Sequence, residues 1–79
     1  MPRITDDKLA VVIGKNLRRM RLAKGINQVD MAKLMGISWH QLSRYENGHN
    51  VFSLTAAMKF AKILGVKEKD FSQFYREDV

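Results

Sequence analysis

The chain has no cysteine, one proline (Pro2) and one tryptophan (Trp39) among its 79 residues. Without thiols it has neither a disulfide staple nor a thiolate metal site, and His40 and His49 alone cannot complete a four-ligand zinc site. No metal or cofactor is expected. Long apolar runs are also missing: nothing approaches the roughly 18 apolar residues of a membrane span. At the N-terminus, MPRITDDKLAVVIGK puts acids before a short apolar patch, the wrong order for a secretory signal. A cytoplasmic protein with no membrane partner is expected. Catalytic signatures are sparse as well. The five glycines make neither a phosphate-cradling loop nor a dinucleotide fingerprint, and there is no nucleophile elbow. No pair of carboxylates stands where one could act as acid and the other as base. The sequence predicts no enzyme.

What is present is a small folded domain. The composition, 46% hydrophobic and 28% charged, is that of a globular chain. The length suits one compact unit over residues 1–79, with residues 1–5 as a flexible arm. So short a chain buries only roughly 60 to 65% of its unfolded surface, so packing or a partner must supply the stability. The net charge of +6 favours a polyanionic partner. Its distribution says more than its size. Lys8, Lys15, Arg18, Arg19, Arg21 and Lys24 stand in residues 8–24 with no acid among them, whereas bases and acids nearly balance after residue 51.

Glycines at 14, 25, 36, 48 and 65 punctuate helical spacing, and strand alternation is absent. From about Asp6 to Lys24, Leu9, Ile13, Leu17 and Met20 share one face. Thr5 is placed to cap this helix, and Asp6 and Asp7 lie at its positive end. Gly14 inside it costs about 1 kcal/mol relative to alanine, unless another backbone must approach there. Asn27 with Asp30 marks the start of a second helix to about Met35, with Met31, Ala32 and Met35 on one face and Gly36 closing it. Ser38 with Gln41 marks a third helix, Trp39 to about Asn47, with Leu42 and Tyr45 inward. Ser53 caps a fourth to Leu64, with Leu54, Ala57, Met58, Ala61 and Leu64 as its apolar stripe. Lys67 to Tyr75 makes a short fifth helix burying Phe71 and Phe74. The sequence predicts an all-α, five-helix bundle.

Two short helices joined by about three residues must meet steeply, which calls for a small residue at the contact and a turn able to reach left-handed backbone angles. Ala32 and Gly36 meet both demands, and a β-branched residue at Gly36 is expected to be strained and to crowd the turn. At this point the chain resembles the Cro/CI-type helix-turn-helix proteins, the lambda-repressor-like or XRE family. The resemblance spans roughly residues 8–74. It is carried by Leu17-Arg18-Arg19-Met20-Arg21, Gly25-Ile26-Asn27-Gln28, Met31-Ala32, Gly36-Ile37-Ser38, Leu42-Ser43-Arg44-Tyr45-Glu46-Asn47-Gly48 and Leu64-Gly65-Val66. It departs from the family at Phe52, where proline is frequent, and at Trp39-His40, a bulky start to a recognition helix.

The resemblance implies a five-helix lambda-repressor-like bundle with its motif at about 28–47. It also implies a homodimer that sets its recognition helix in the major groove of a palindromic operator. Trp39, His40, Ser43 and Arg44 fall near the exposed leading face of that helix as candidate base contacts, Arg44 having the fork geometry for a guanine edge or a phosphate. Trp39 reads as packing on the neighbouring bundle surface in preference to a thymine-methyl contact. Gln28, Ser38, Asn47, His49, Asn50 and Arg18 are candidate phosphate contacts, Gln28 through the first turn of its helix. The family pattern further implies an ion pair between Arg21 and Glu46. Phe71, Phe74 and Tyr75 exceed what one short helix needs for its own core, which suggests that some of them form a dimer surface, with core filling alone as the other reading. With only fourteen residues after Gly65, regulation is expected to follow protein concentration. The rival reading is an antitoxin of a toxin–antitoxin pair, binding a partner protein as well as its own operator. RNA binding is disfavoured, since there is no aromatic stacking platform on a sheet and no GXXG loop.

Overall fold

The structure, a computed structural model, describes residues 6–76. The expected Thr5 cap and the arm over 1–5 lie outside them, as do the side chains of Asp6 and Asp7. Four α-helices follow in order, α1 (Asp6–Ala23), α2 (Gln28–Met35), α3 (Trp39–Glu46) and α4 (Leu54–Leu64), and then a 3-10 helix (Glu68–Phe74). No strand occurs among the described residues.

The helix boundaries are set by local chemistry. The Asn27 side-chain oxygen accepts from the Asp30 amide at 2.8 Å, Ser38 Oγ from the Gln41 amide at 3.1 Å, and Ser53 Oγ from the Ala56 amide at 3.1 Å. Each satisfies an amide left open by the first turn. α2 ends at Gly36, whose φ of +71° lets its own N–H and that of Ile37 return to the last turn, on Lys33 O at 3.1 Å and Ala32 O at 3.0 Å. A Cβ on Gly36 would meet nothing within 4 Å. The crowding expected there is absent, because the turn faces outward; only the backbone angle demands glycine.

Crowding occurs instead at Gly14. α3 packs against both α1 and α2, and its C-terminal end lies directly on the α1 backbone. A Cβ on Gly14 would run into the Tyr45 carbonyl oxygen and stand 2.7 Å from that of Glu46. Glycine interrupts the first helix because another main chain needs the space.

The core gathers Ile13 and Leu17 of α1, Met31, Ala32 and Met35 of α2, Leu42 of α3, Phe52, the inner face of α4 and Phe74. Phe52, in the family's proline position, is buried and lies at the centre of an aromatic cluster. Its ring stands edge-on to Phe60 at 5.0 Å, Tyr45 at 5.5 Å and Phe74 at 6.0 Å.

Two expectations need correction here. The buried face of α4 is Ala57, Phe60, Ala61 and Leu64, whereas Leu54 and Met58 are 71% and 60% exposed. Spacing alone admits either phase, and the aromatic cluster decides it by drawing Phe60 to full burial. The fifth segment is a 3-10 helix, shorter than Lys67 to Tyr75, and it buries Phe74 while Phe71 is only half-buried and Tyr75 is exposed. It is held to α1 by Asn16, whose buried amide donates to Phe74 O at 2.9 Å and Arg76 O at 2.8 Å. Asn16 played no part in the sequence reading. Its signal was a lone amide on the inward stripe between Ile13 and Met20, where a buried polar group must find partners.

Gly14→Ala and Gly36→Ala should both destabilise, for different reasons. At Gly14 the helix-propensity gain of about 1 kcal/mol is overridden by backbone overpacking of about 1 to 3 kcal/mol, which also displaces α3. At Gly36 the loss is left-handed strain of about 1 kcal/mol, with packing intact. Urea unfolding measures both losses, and amide chemical shifts in α3 should move for Gly14→Ala alone.

Candidate nucleic-acid interface

Eight residues make α3, and at about 100° per residue positions 39, 40, 43 and 44 fall within one arc while 42, 45 and 46 fall on the other. The structure follows this division. Leu42 and Glu46 are buried and Tyr45 packs against the core. Trp39, His40 and Arg44 are exposed and Ser43 is half-buried. Trp39 and His40 stack on each other, ring centroids 4.0 Å apart and planes 26° from parallel.

The fixed point beneath this helix is a buried ion pair. Arg21 Nε donates to Glu46 Oε2 at 2.7 Å and Nη2 to Oε1 at 3.0 Å, a fork-on-fork arrangement. Arg21 Nη1 donates to Ile26 O at 2.8 Å, and Gln28 Nε2 to Glu46 Oε1 at 3.1 Å. Both charged residues are almost inaccessible, and among the described residues no buried side-chain polar atom lacks a partner. The network joins α1, the loop before α2, α2 itself and α3 at one place.

Above it lies a shallow depression of about 400 Å³ lined by Arg18, Leu22, Asn27, Gln28 and Asn47, with Arg21 and Glu46 as its floor. Three of the residues expected to meet phosphate, Arg18, Gln28 and Asn47, are thus brought together from three helices and their ends. The other candidates lie elsewhere. Ser38 is at the far end of α3, about 12 Å along the helix, with its hydroxyl capping Gln41. His49 and Asn50 follow α3, next to Arg44. In the amide orientation that satisfies both neighbours, Asn50 donates to His49 O at 2.9 Å and accepts from Arg44 Nε at 3.2 Å. Asn47 Nδ2 donates to Ser43 Oγ at 3.1 Å, tying a candidate base contact to a candidate phosphate contact. Asn27, read from the sequence only as a cap, also lines the depression; residue order gives no sign that the cap and the end of α3 converge.

Among the described residues there is no cluster of three His, Asp or Glu side chains that could hold a metal ion, and no helix is long and apolar enough to cross a membrane.

Residues 17–71 match the model of the HTH_3 family, described as helix-turn-helix. The chain belongs to that family. It is a DNA-binding helix-turn-helix domain of the kind found in transcriptional regulators. A solved structure, the restriction-modification controller protein C.AhdI from Aeromonas hydrophila, superposes on 78% of the HTH_3 chain and 94% of its own, with a TM-score of 0.71 and 31% identity. An uncharacterized transcriptional regulator in the ATPase CF(0) region of Rhodospirillum rubrum is 33% identical over 84% of this chain and 62% of its own length. The antitoxin PezA of Streptococcus pneumoniae is 46% identical over 47% of this chain and 23% of its own. The HTH_3 chain therefore spans less than two thirds of these two curated relatives.

The ion pair calls for a double-mutant cycle. Because both charges are buried, Arg21→Met or Glu46→Leu alone should cost about 3 to 5 kcal/mol, leaving the other charge without a partner. The double variant should recover much of that loss. Chemical denaturation measures the coupling; a value under about 1 kcal/mol would place the pair with ordinary surface pairs.

Proposed function

We propose that this chain is a sequence-specific transcriptional regulator that binds a palindromic operator as a homodimer, with α3 in the major groove. The observation that carries this reading is the outward arc of Trp39, His40, Ser43 and Arg44 beside the depression that collects Arg18, Gln28 and Asn47. Groups suited to base edges and groups suited to phosphate stand on one side of a rigidly fastened helix. Asn50 holds Arg44 through Nε, and the guanidinium fork suits a base edge or a phosphate. Ser38, His49 and Asn50 extend the phosphate contacts at the two ends of α3. The DNA-binding unit is residues 1–79, with no cofactor and in the cytoplasm, and the molecule works by occupying DNA rather than by catalysis.

The second copy is proposed to cover the apolar groove of about 820 Å³ between α4 and the 3-10 helix, lined by Leu54, Met58, Val66 and Phe71. Lys59 and Lys62 flank the α4 wall and Asp70 adjoins Phe71 on the other. The groove uses no residue of the α3 arc, so dimer and DNA surfaces are available together. The same groove and the likeness to PezA favour a second reading, an antitoxin whose groove takes a toxin.

Selection from a random duplex pool tests the proposal directly: an inverted repeat with half-sites about 34 Å apart is expected, bound as two chains in ultracentrifugation. Strict one-to-one binding without a repeat overturns the homodimer. Affinity should fall with salt at a log-log slope of about −0.9 per phosphate neutralised. A flat salt response removes DNA binding.

Arg44→Ala and Gln28→Ala separate reading from docking. Loss of the Arg44 fork should cost about 1 to 3 kcal/mol on the selected operator and little on unrelated duplex. Loss of Gln28 should weaken both by similar factors and keep the ranking of sequences. Fluorescence anisotropy on the two duplexes gives the comparison, with unfolding curves run alongside because Gln28 also bonds Glu46.

A further inference from the structure

Trp39 has a position that its hydrophobicity does not explain. It is half exposed, belongs to no part of the buried core, and its ring contact is with His40, the next residue on the same helix. It is also the first residue of α3, the end from which recognition helices reach base edges. An indole offers no acceptor and a single N–H donor, so it cannot make the bidentate pairings by which amides and guanidinium groups identify adenine and guanine. What it offers is a broad apolar face. The one apolar group that base pairs present in the major groove is a methyl on pyrimidine C5, supplied by thymine or by 5-methylcytosine.

Resting on the DNA-binding reading above, we infer that the stacked Trp39–His40 pair is a reader of a pyrimidine C5-methyl group, supplied by a thymine in each operator half-site. The stack is the feature that makes the reading specific. A free indole at a helix start would sample several rotamers and lose that freedom on binding. With the His40 ring 4.0 Å away and nearly parallel, the Trp39 plane is set before DNA arrives. The outer face of the pair then presents one fixed apolar surface to the groove. A phosphate contact is the poorer assignment, since neither the indole face nor its edge carries formal charge.

The test uses the operator selected from the duplex pool and replaces its thymines one at a time by deoxyuridine, which removes only the methyl. Burying one such group weighs about fourfold in affinity. One position per half-site should therefore lose about fourfold with the natural chain, and the same replacement should leave the affinity of Trp39→Ala unchanged. At that step 5-methylcytosine should bind about fourfold tighter than cytosine, again only with Trp39 present. That arm distinguishes recognition of the methyl from recognition of the thymine O4. Because Trp39 is the only tryptophan, its emission should also shift to the blue on the thymine operator and less on the deoxyuridine one.

The natural-chain scan and the emission measurement need no variant, so poor folding of Trp39→Ala leaves both standing. A scan in which no thymine methyl matters, or one in which Trp39→Ala keeps the methyl dependence, overturns the inference while the DNA-binding reading survives. Failure to enrich any duplex overturns both.

Discussion

The arrangement of this domain turns on one buried charge pair. Arg21 and Glu46 are out of water, where either charge left without the other would be costly, so the guanidinium and the carboxylate must stay in register. That condition fixes the end of α3 relative to the last turn of α1. Because the same guanidinium holds Ile26 O and the same carboxylate receives Gln28, the loop entering α2 is fixed with it. A helix of eight residues has little stability of its own; its orientation is borrowed from this network and from the glycine contact below it.

Gly14 and the ion pair act together. The main chain at Tyr45 and Glu46 comes so near α1 that a methyl group does not fit, and this closeness is what puts the Glu46 carboxylate within reach of Arg21. At the other end of the motif the left-handed Gly36 turns the chain between α2 and α3. The outward arc of α3 is the consequence: with Leu42 and Glu46 committed inward, positions 39, 40, 43 and 44 are left facing solvent. The depression formed by Arg18, Gln28 and Asn47 lies over the ion pair because the same three segments converge there. The ion-pair network and the residues proposed to contact DNA are thus neighbours, and a loosened network would blur both.

Much of this was legible in residue order, because caps and stops are local chemistry. Asn27, Ser38, Ser53, Gly36 and Gly65 each act on amides or carbonyls a few residues away, and the helices begin and end within a residue or so of where these signals place them. The apolar stripes of α1 and α2 were legible for the same reason. The stripe of α4 was not. Leu54, Met58 and Phe60 are all apolar, and a helix of that composition has two admissible phases. The choice was made by Phe52 and Tyr45, outside the helix, whose rings Phe60 meets edge-on, Phe52 being backed in turn by Phe74.

The family pattern named Arg21 and Glu46 together, but only the fold shows them buried, forked and shared with Gln28 and Ile26, since burial depends on what the rest of the chain places over them. It likewise decided that the main chain at Gly14 is crowded and that at Gly36 is not, that Asn16 ties down the 3-10 helix, and that Trp39 stands on His40 rather than in the bundle. What the sequence by itself determined is therefore the set of helices, their ends and the motif, all governed by interactions spanning a few residues. What the tertiary structure decided is which face each helix buries and which side chains converge on one spot, because those outcomes depend on contacts between segments 25 to 60 residues apart.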